Sequence, residues 1–186
     1  MRGKLEGLRA EGVTMKSAWA KYVLFGAVNL VVVASDQWTK LIVERHMFLN
    51  EFITIVPNFF DIRYIRNTGA AFGLMARLPD GARLPFLVGV SLVAIGMIFY
   101  LFVKAEKERV AYLLSLSLVF AGAIGNLIDR VMFGEVRDFL HAHIYNLSWP
   151  IFNIADSAIS VGIVLLAWQL LVVEPRLEKQ REAKKA

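Results

Sequence analysis

The chain has 186 residues, 57% of them hydrophobic and 20% charged, whereas a soluble domain runs about 45–50% apolar and about 25% charged. That excess, with a mean hydropathy of +0.54, excludes disorder and argues against a small soluble enzyme. The absence of cysteine excludes disulfides, thiolate nucleophiles, zinc–thiolate sites and iron–sulfur clusters, and the net charge of +5 must be read from where the basic residues lie.

Residues 1–14 are polar and contain glycine, and Met15-Lys16 looks like an alternative start. A spanning helix needs about 20 apolar residues. The first apolar run, Trp19–Ala34, is short unless it continues past Asp36. It is expected to be retained rather than cleaved as a signal peptide, because its loss would leave one terminus outside. Phe52–Ile55 and Phe60–Ile65 read as strands joined by a Pro57-Asn58 turn. The second span is Leu84–Val103, with Pro85 in its first turn. The third is Val110–Ile128 and the fourth Pro150–Val173. Asp138 falls in the loop between them. The segment from Glu174 onward reads as a charged, solvated tail.

Most basic residues fall before span one (Arg2, Lys4, Arg9, Lys16, Lys21), between spans two and three (Lys104, Lys107, Arg109) or after span four (Arg176, Lys179, Arg181, Lys184, Lys185). With four spans these segments share one side, which the positive-inside rule makes cytoplasmic. The basic excess is therefore a topology signal, and no nucleic-acid partner is expected. The predicted fold class is a membrane all-α protein with a small β element. It is a four-transmembrane-helix bundle with a small extracytoplasmic sheet between helices one and two. The predicted units are a polar extension (1–18), the membrane unit (19–173) and a charged cytoplasmic tail (174–186).

Polar residues at the ends of apolar spans carry the functional signal, because a charge near a bilayer core costs about 2.5–3.5 kcal/mol. Asp36 and Lys40 are spaced i, i+4. Asn126, Asp129 and Arg130 share one helical face, as do Asn153, Asp156 and Ser157. With Asp138 they gather at one membrane face. Asp36–Lys40 reads as a structural pair that orients other groups. Asn126 bonds a neighbouring helix, since an amide is neither acid nor base. Asn153 is the better capping position, which leaves Asp156 one turn inside an apolar span and in need of a function. Asp138, as a loop aspartate, is inexpensive. Two close carboxylates share a proton, so that one can activate water while the other donates to a carbonyl oxygen. His141-x-His143 is a weak metal-binding pattern, outweighed by solvated loop histidines, and no metal or cofactor is expected. Gly122-x-x-Gly125 permits a close helix approach. Asn67-Thr68-Gly69-Ala70-Ala71-Phe72-Gly73 either leaves room for a substrate backbone or makes a tight turn. A small ion or proton transporter is the alternative. It fits the intramembrane carboxylates, but the charges cluster at one face instead of crossing the bilayer.

Five blocks in order resemble the lipoprotein signal peptidase (type II signal peptidase) family: Ser35-Asp36-Gln37-Trp38-Thr39-Lys40, Asn67–Phe72, Gly122–Arg130, Val136-Arg137-Asp138-Phe139 and Phe152–Ile159. The resemblance implies an aspartic endopeptidase of the bacterial inner membrane, with both termini cytoplasmic. Its substrates would be diacylglyceryl-modified prolipoproteins, cleaved just before the modified cysteine. It implies Asp138 and Asp156 as the catalytic pair, supported by Asp36, Lys40, Asn67, Gly69, Ala70, Asn126, Asp129, Arg130 and Asn153. No cofactor is implied. Membrane lipid is an expected partner, and a monomer the expected state. Two features depart from the pattern: the 1–14 extension, and Arg137, where many relatives carry a small apolar residue.

Overall fold

The computed structural model describes residues 18–69, 80–106, 109–145 and 147–183. Its helices are α1 (Ala18–His46), α2 (Asp80–Lys104), α3 (Val110–Phe133) and α4 (Ile154–Trp168). A π-helical stretch, Gln169–Val173, leads from α4 into α5 (Glu174–Ala183). Four stretches are long and apolar enough to cross a membrane: Trp19–His46, Gly81–Lys104, Val110–Phe133 and Ile154–Leu177. At 1.5 Å per residue, 24 residues reach about 36 Å, more than a hydrocarbon core of about 30 Å.

The helices run further than their apolar stretches. α1 continues through Asp36 to His46, and α3 continues through Asp129 to Phe133. The charges that look like helix ends in the sequence are buried and paired, so they do not stop the helix. Gly134 stops α3, with φ +78° and its N–H bonded to the Arg130 carbonyl. Pro85 lies inside α2 rather than in its first turn, where its ring leaves the Gly81 carbonyl without an amide donor. The fourth span begins at Ile154, after an extended approach from Pro150. Glu174–Ala183, expected as a solvated tail, is helical, in keeping with the helix propensity of its Glu, Lys, Arg and Ala residues.

α3 is the central helix. Half of its most apolar stretch is buried, 50% against 6–11% in the other spans, and it packs against α1, α2 and α4. The apolar side chains left outside, among them Leu30, Val93, Met97 and Val164, suit hydrocarbon as a solvent. Lys21 Nζ donates to the carbonyls of Val103 (2.9 Å) and Ala105 (3.2 Å), and Arg109 pairs with Glu174. These contacts gather one end of each span at a common end of the bundle. Phe25 joins that region to the core against Phe102, at 4.3 Å between ring centroids, and Phe120, at 4.9 Å.

Close approach of α3 to α4 and to α1 depends on glycine. A Cβ on Gly122 would lie 2.3 Å from the Ala155 carbonyl oxygen, and one on Gly125 would lie 2.8 Å from Asp36 Oδ2. Gly122→Ala must push against backbone, so it is expected to destabilise the protein by about 1–3 kcal/mol. A melting temperature in detergent equal to that of the parent would contradict this packing.

The opposite end of the bundle carries an antiparallel sheet of four strands in the order β1-β2-β3-β4: β1 (Phe52–Val56), β2 (Phe60–Asn67), β3 (Val136–Ile144) and β4 (Leu147–Ser148). Asn58, at φ 60°, makes the turn between β1 and β2. The sheet therefore does not belong to the first connection alone, as expected, and Asp138 lies on a strand rather than in a loop. Backbone pairing with β2 claims this stretch, with Ile65 opposite Asp138 and Asn67 opposite Val136. On its other side β3 exchanges backbone hydrogen bonds with Phe152: Leu140 N–H to Phe152 O at 2.8 Å, and Phe152 N–H to Leu140 O at 3.0 Å. That bridge lays the start of α4 beside Asp138.

Candidate active site

A buried charge cluster lies beneath the sheet. Asp36, Lys40 and Asp129 are each 0% exposed. Lys40 Nζ contacts Asp36 Oδ2 at 2.8 Å, Asp129 Oδ2 at 3.3 Å and Asn126 Oδ1 at 3.2 Å. An ammonium has three protons, so each finds an acceptor. Asp36 Oδ1 accepts from the Ala155 N–H at 2.9 Å, which ties α1 to the first turn of α4. Gln37 Nε2 bridges Asp36 Oδ2 (3.0 Å), Asp129 Oδ1 (3.1 Å) and the Gly125 carbonyl (3.1 Å).

Arg137, the departure noted in the sequence, completes this cluster. Its Nη2 donates to Asp129 Oδ1 at 2.9 Å and to Gln37 Oε1 at 3.0 Å, and its Nη1 donates to Glu44 Oε2 at 2.8 Å. Its backbone N–H also donates to Asp129 Oδ2 at 2.9 Å. Burial works against the guanidinium's charge, but Asp129 and Glu44 more than offset it and hold the group above its ordinary range. Glu44 also pairs with Arg66, at 2.5 Å. Charges therefore balance: Asp36, Glu44 and Asp129 against Lys40, Arg66 and Arg137. The sequence reading missed Gln37, Glu44 and Arg66. Glu44 had a legible signal, since Asp36, Lys40 and Glu44 repeat at i, i+4, i+8 on one face of α1.

Asp138 and Asp156 are held differently. Asp138 Oδ1 accepts from Asn153 Nδ2 at 2.6 Å and Oδ2 from Asn67 Nδ2 at 2.8 Å. Asp156 Oδ1 accepts from Asn126 Nδ2 at 2.7 Å and Oδ2 from the Asn153 N–H at 3.2 Å. Asn153 Oδ1 in turn accepts from the Asp156 N–H at 2.9 Å, so Asn153 is the N-cap of α4 and Asp156 its reciprocal partner. The cap and the site are thus one structure, and Asn153 touches both carboxylates. Among the described residues, every hydrogen bond to these two carboxylates comes from an amide, none from an ammonium or guanidinium. The amide orientations follow from the network: Asn126 Oδ1 faces the Lys40 ammonium, so its NH₂ must face Asp156.

Burial pushes the Asp138 carboxyl up to about 7, and the charge of Asp156 adds to the push, while the amides of Asn67 and Asn153 oppose it. Asp156 lines a cavity of about 420 Å³ walled by Trp149, Phe152, Ser160 and Val161. Gly69 takes φ +93°, and its N–H donates to Asn67 Oδ1 at 2.8 Å. The tight turn therefore orients Asn67 toward Asp138. Ser157 Oγ donates to the Asn153 carbonyl at 2.9 Å, within its own helix. Arg130 differs from expectation. It lies within electrostatic reach of Asp156, Asp138 and Asp129, but its side chain makes no hydrogen bond to a described residue. One step along α3 from Asp129 turns it about 100° away from that residue's contacts. Ala70 lies outside the described residues.

The family described as signal peptidase (SPase) II matches the chain over residues 28–172. The lipoprotein signal peptidase of Syntrophus aciditrophicus is 42% identical over 160 residues, covering 86% of this chain and 96% of that protein. That of Geobacter metallireducens is 44% identical over 158 residues, covering 85% and 96%. A bacterial membrane enzyme solved by the in meso method at 1.9 Å resolution superposes with a TM-score of 0.72 at 32% identity, over 86% of this chain and 97% of that one. A matched region of this extent, containing Asp36, Asp129, Asp138 and Asp156 and the amides between them, makes the chain a member of the signal peptidase II family of bacterial multi-pass membrane proteases.

Proposed function

We propose that the chain removes signal peptides from diacylglyceryl-modified prolipoproteins, with Asp138 and Asp156 as an aspartic catalytic pair. One observation carries this reading. Two buried carboxylates, Asp36 and Asp129, are neutralised by cations, while Asp138 and Asp156, the latter lining an open cavity, accept hydrogen bonds only from amides among the described residues. Amide donors orient a carboxylate without fixing it as an anion, which leaves a proton free to move.

Asp138 and Asp156 hold a water and share one proton. The ionised member takes a proton from that water as its oxygen attacks the scissile carbonyl carbon. The protonated member donates to the carbonyl oxygen, giving a neutral tetrahedral diol. Collapse of the diol breaks the C–N bond, and a proton passes to the leaving amine of the modified cysteine. Asn126, Asn153 and Asn67 keep both carboxylates in place, and Asp36, Lys40 and Asp129 keep the amides in place. The apolar walls of the cavity suit the signal peptide, and membrane anchoring aligns substrate and site. In this reading the sheet and the pair lie at the extracytoplasmic face and both termini in the cytoplasm. A monomeric membrane unit, 19–173, carries the activity between its two polar ends. The transporter reading gains no comparable observation.

The test is cleavage of a purified diacylglyceryl-prolipoprotein in detergent and lipid, beside its unlipidated counterpart. Cleavage of the lipidated form alone supports the proposal, and no cleavage by well-folded protein overturns it. The pH dependence has a defined sign. Asp138 holds its proton well above the usual carboxylate range, so stability from the protonated form is present at low pH and lost as pH rises through about 7. Activity is expected to fall over the same interval, as the shared proton leaves. A rate that keeps rising through neutral pH would contradict the assignment of the acid.

A further inference from the structure

From the side-chain cluster on the outer sheet, we infer that Asp61, His141 and His143 form a binding site for a divalent transition metal such as zinc, separate from the catalytic pair. The three residues come from two strands. Asp61 on β2 is the direct cross-strand partner of His141 on β3, and His143 follows two residues later on the same face. Their candidate ligand atoms all lie within 4.8 Å of one another. Asp61 Oδ2 is 3.3 Å from His141 Nδ1 and 3.0 Å from His143 Nε2. Ligands at zinc distances of about 2.0–2.1 Å in a tetrahedron stand about 3.3 Å apart. The imidazoles stack at 5.0 Å and 22°, and the three side chains are only 14–16% exposed.

Hydrogen bonding indicates that a cation is wanted. Ser148 Oγ donates to the Trp149 carbonyl at 3.3 Å and lies 2.7 Å from His141 Nε2. It is then the acceptor for His141 Nε2–H, which leaves the Nδ1 lone pair facing a carboxylate oxygen. His143 Nε2 is buried and makes no hydrogen bond, although it lies beside the same oxygen. A ring nitrogen that presents its lone pair to a carboxylate oxygen is repelled unless a positive ion sits between them. Thr54 hydrogen-bonds to Asp61, and Ser148 fixes His141. Metal-ligating groups are oriented by outer partners of this kind. His143 also lines a cavity of about 460 Å³ with Phe59, Leu147 and Trp149, which provides an entry path. The bound ion would staple β2 to β3 three residues beyond Asp138.

The experiment is zinc titration by calorimetry on the full chain without a histidine tag, in detergent at neutral pH. One saturable zinc per chain is expected. Outer partners alone carry 10–100-fold in metal affinity, so His143→Gln and Asp61→Asn should each weaken zinc binding by about 100-fold or more, and Ser148→Ala by about 10-fold. His46→Gln changes the only other histidine, which lies on α1 with Nδ1 at the Ile42 carbonyl, and should bind as the parent does. Ser148→Ala keeps all three ligands and reports on the site even where a ligand variant folds poorly. Absence of saturable binding would overturn the inference. Binding unchanged in both His143→Gln and Asp61→Asn, or lost in His46→Gln, would also overturn it.

Discussion

Asp138→Asn and Asp156→Asn are each expected to abolish prolipoprotein cleavage while the protein still folds. General acid–base groups contribute about 10²–10⁴-fold apiece, and in the proposed mechanism one proton serves both steps, so each single variant should lose about 10³-fold or more. The fold should survive for a local reason. Among the described residues both carboxylates are hydrogen-bonded by amides rather than by cations, so removing a charge breaks no hydrogen-bonded ion pair. An asparagine does turn one NH₂ toward a neighbouring donor, a cost of about 1–3 kcal/mol, partly offset by relief of the repulsion between the carboxylates. Near-normal cleavage by either variant would sink the pair.

Lys40→Met should give the opposite pattern, with stability lost first and activity following. Its ammonium is the shared partner of Asp36 and Asp129, which are both fully buried. Removing one member of a buried ion pair costs about 3–5 kcal/mol, or a fall in Tm of about 6–20 °C for a chain of this size. Adding Asp129→Asn to Lys40→Met should recover part of that loss, because it removes one stranded anion. A Tm for Lys40→Met equal to the parent's would contradict the compensating role of the ammonium. The contrast would separate the four aspartates of the region into two that hold the bundle and the two proposed to react.

The spans were legible because twenty apolar residues in a row have few other uses. Their ends were not, because Asp36 and Asp129 look like exits from the bilayer until their partners are known. Those partners are 92 positions away along the chain in the Gln37–Asp129 contact and 119 in the Asp36–Ala155 contact. The first hairpin was legible from its alternation around Pro57-Asn58. β3 was not, although Leu140, Ala142 and Ile144 alternate with His141 and His143, because Arg137 and Asp138 at its start read as loop. Both are buried, and only pairing with β2 and Phe152 explains why. The five family blocks located Asn67, Asn126 and Asn153, and the structure adds that the side-chain amide of each donates to one of the two carboxylates. Arg137 carried no such signal. Its meaning lies in Glu44 and Gln37 on α1 and Asp129 on α3.

The bond from the Ala155 N–H to Asp36 also bears on how the protein is made. Span one enters the membrane before its charges have their final partners, and it is the least apolar of the four. Asp129 becomes available when α3 is inserted, and the α4 amide only when the fourth span arrives. A ribosome must therefore complete nearly the whole membrane unit before the acidic and basic groups of α1 can be sealed away from lipid and water. Chains released early would carry that polar end without its partners from α3 and α4.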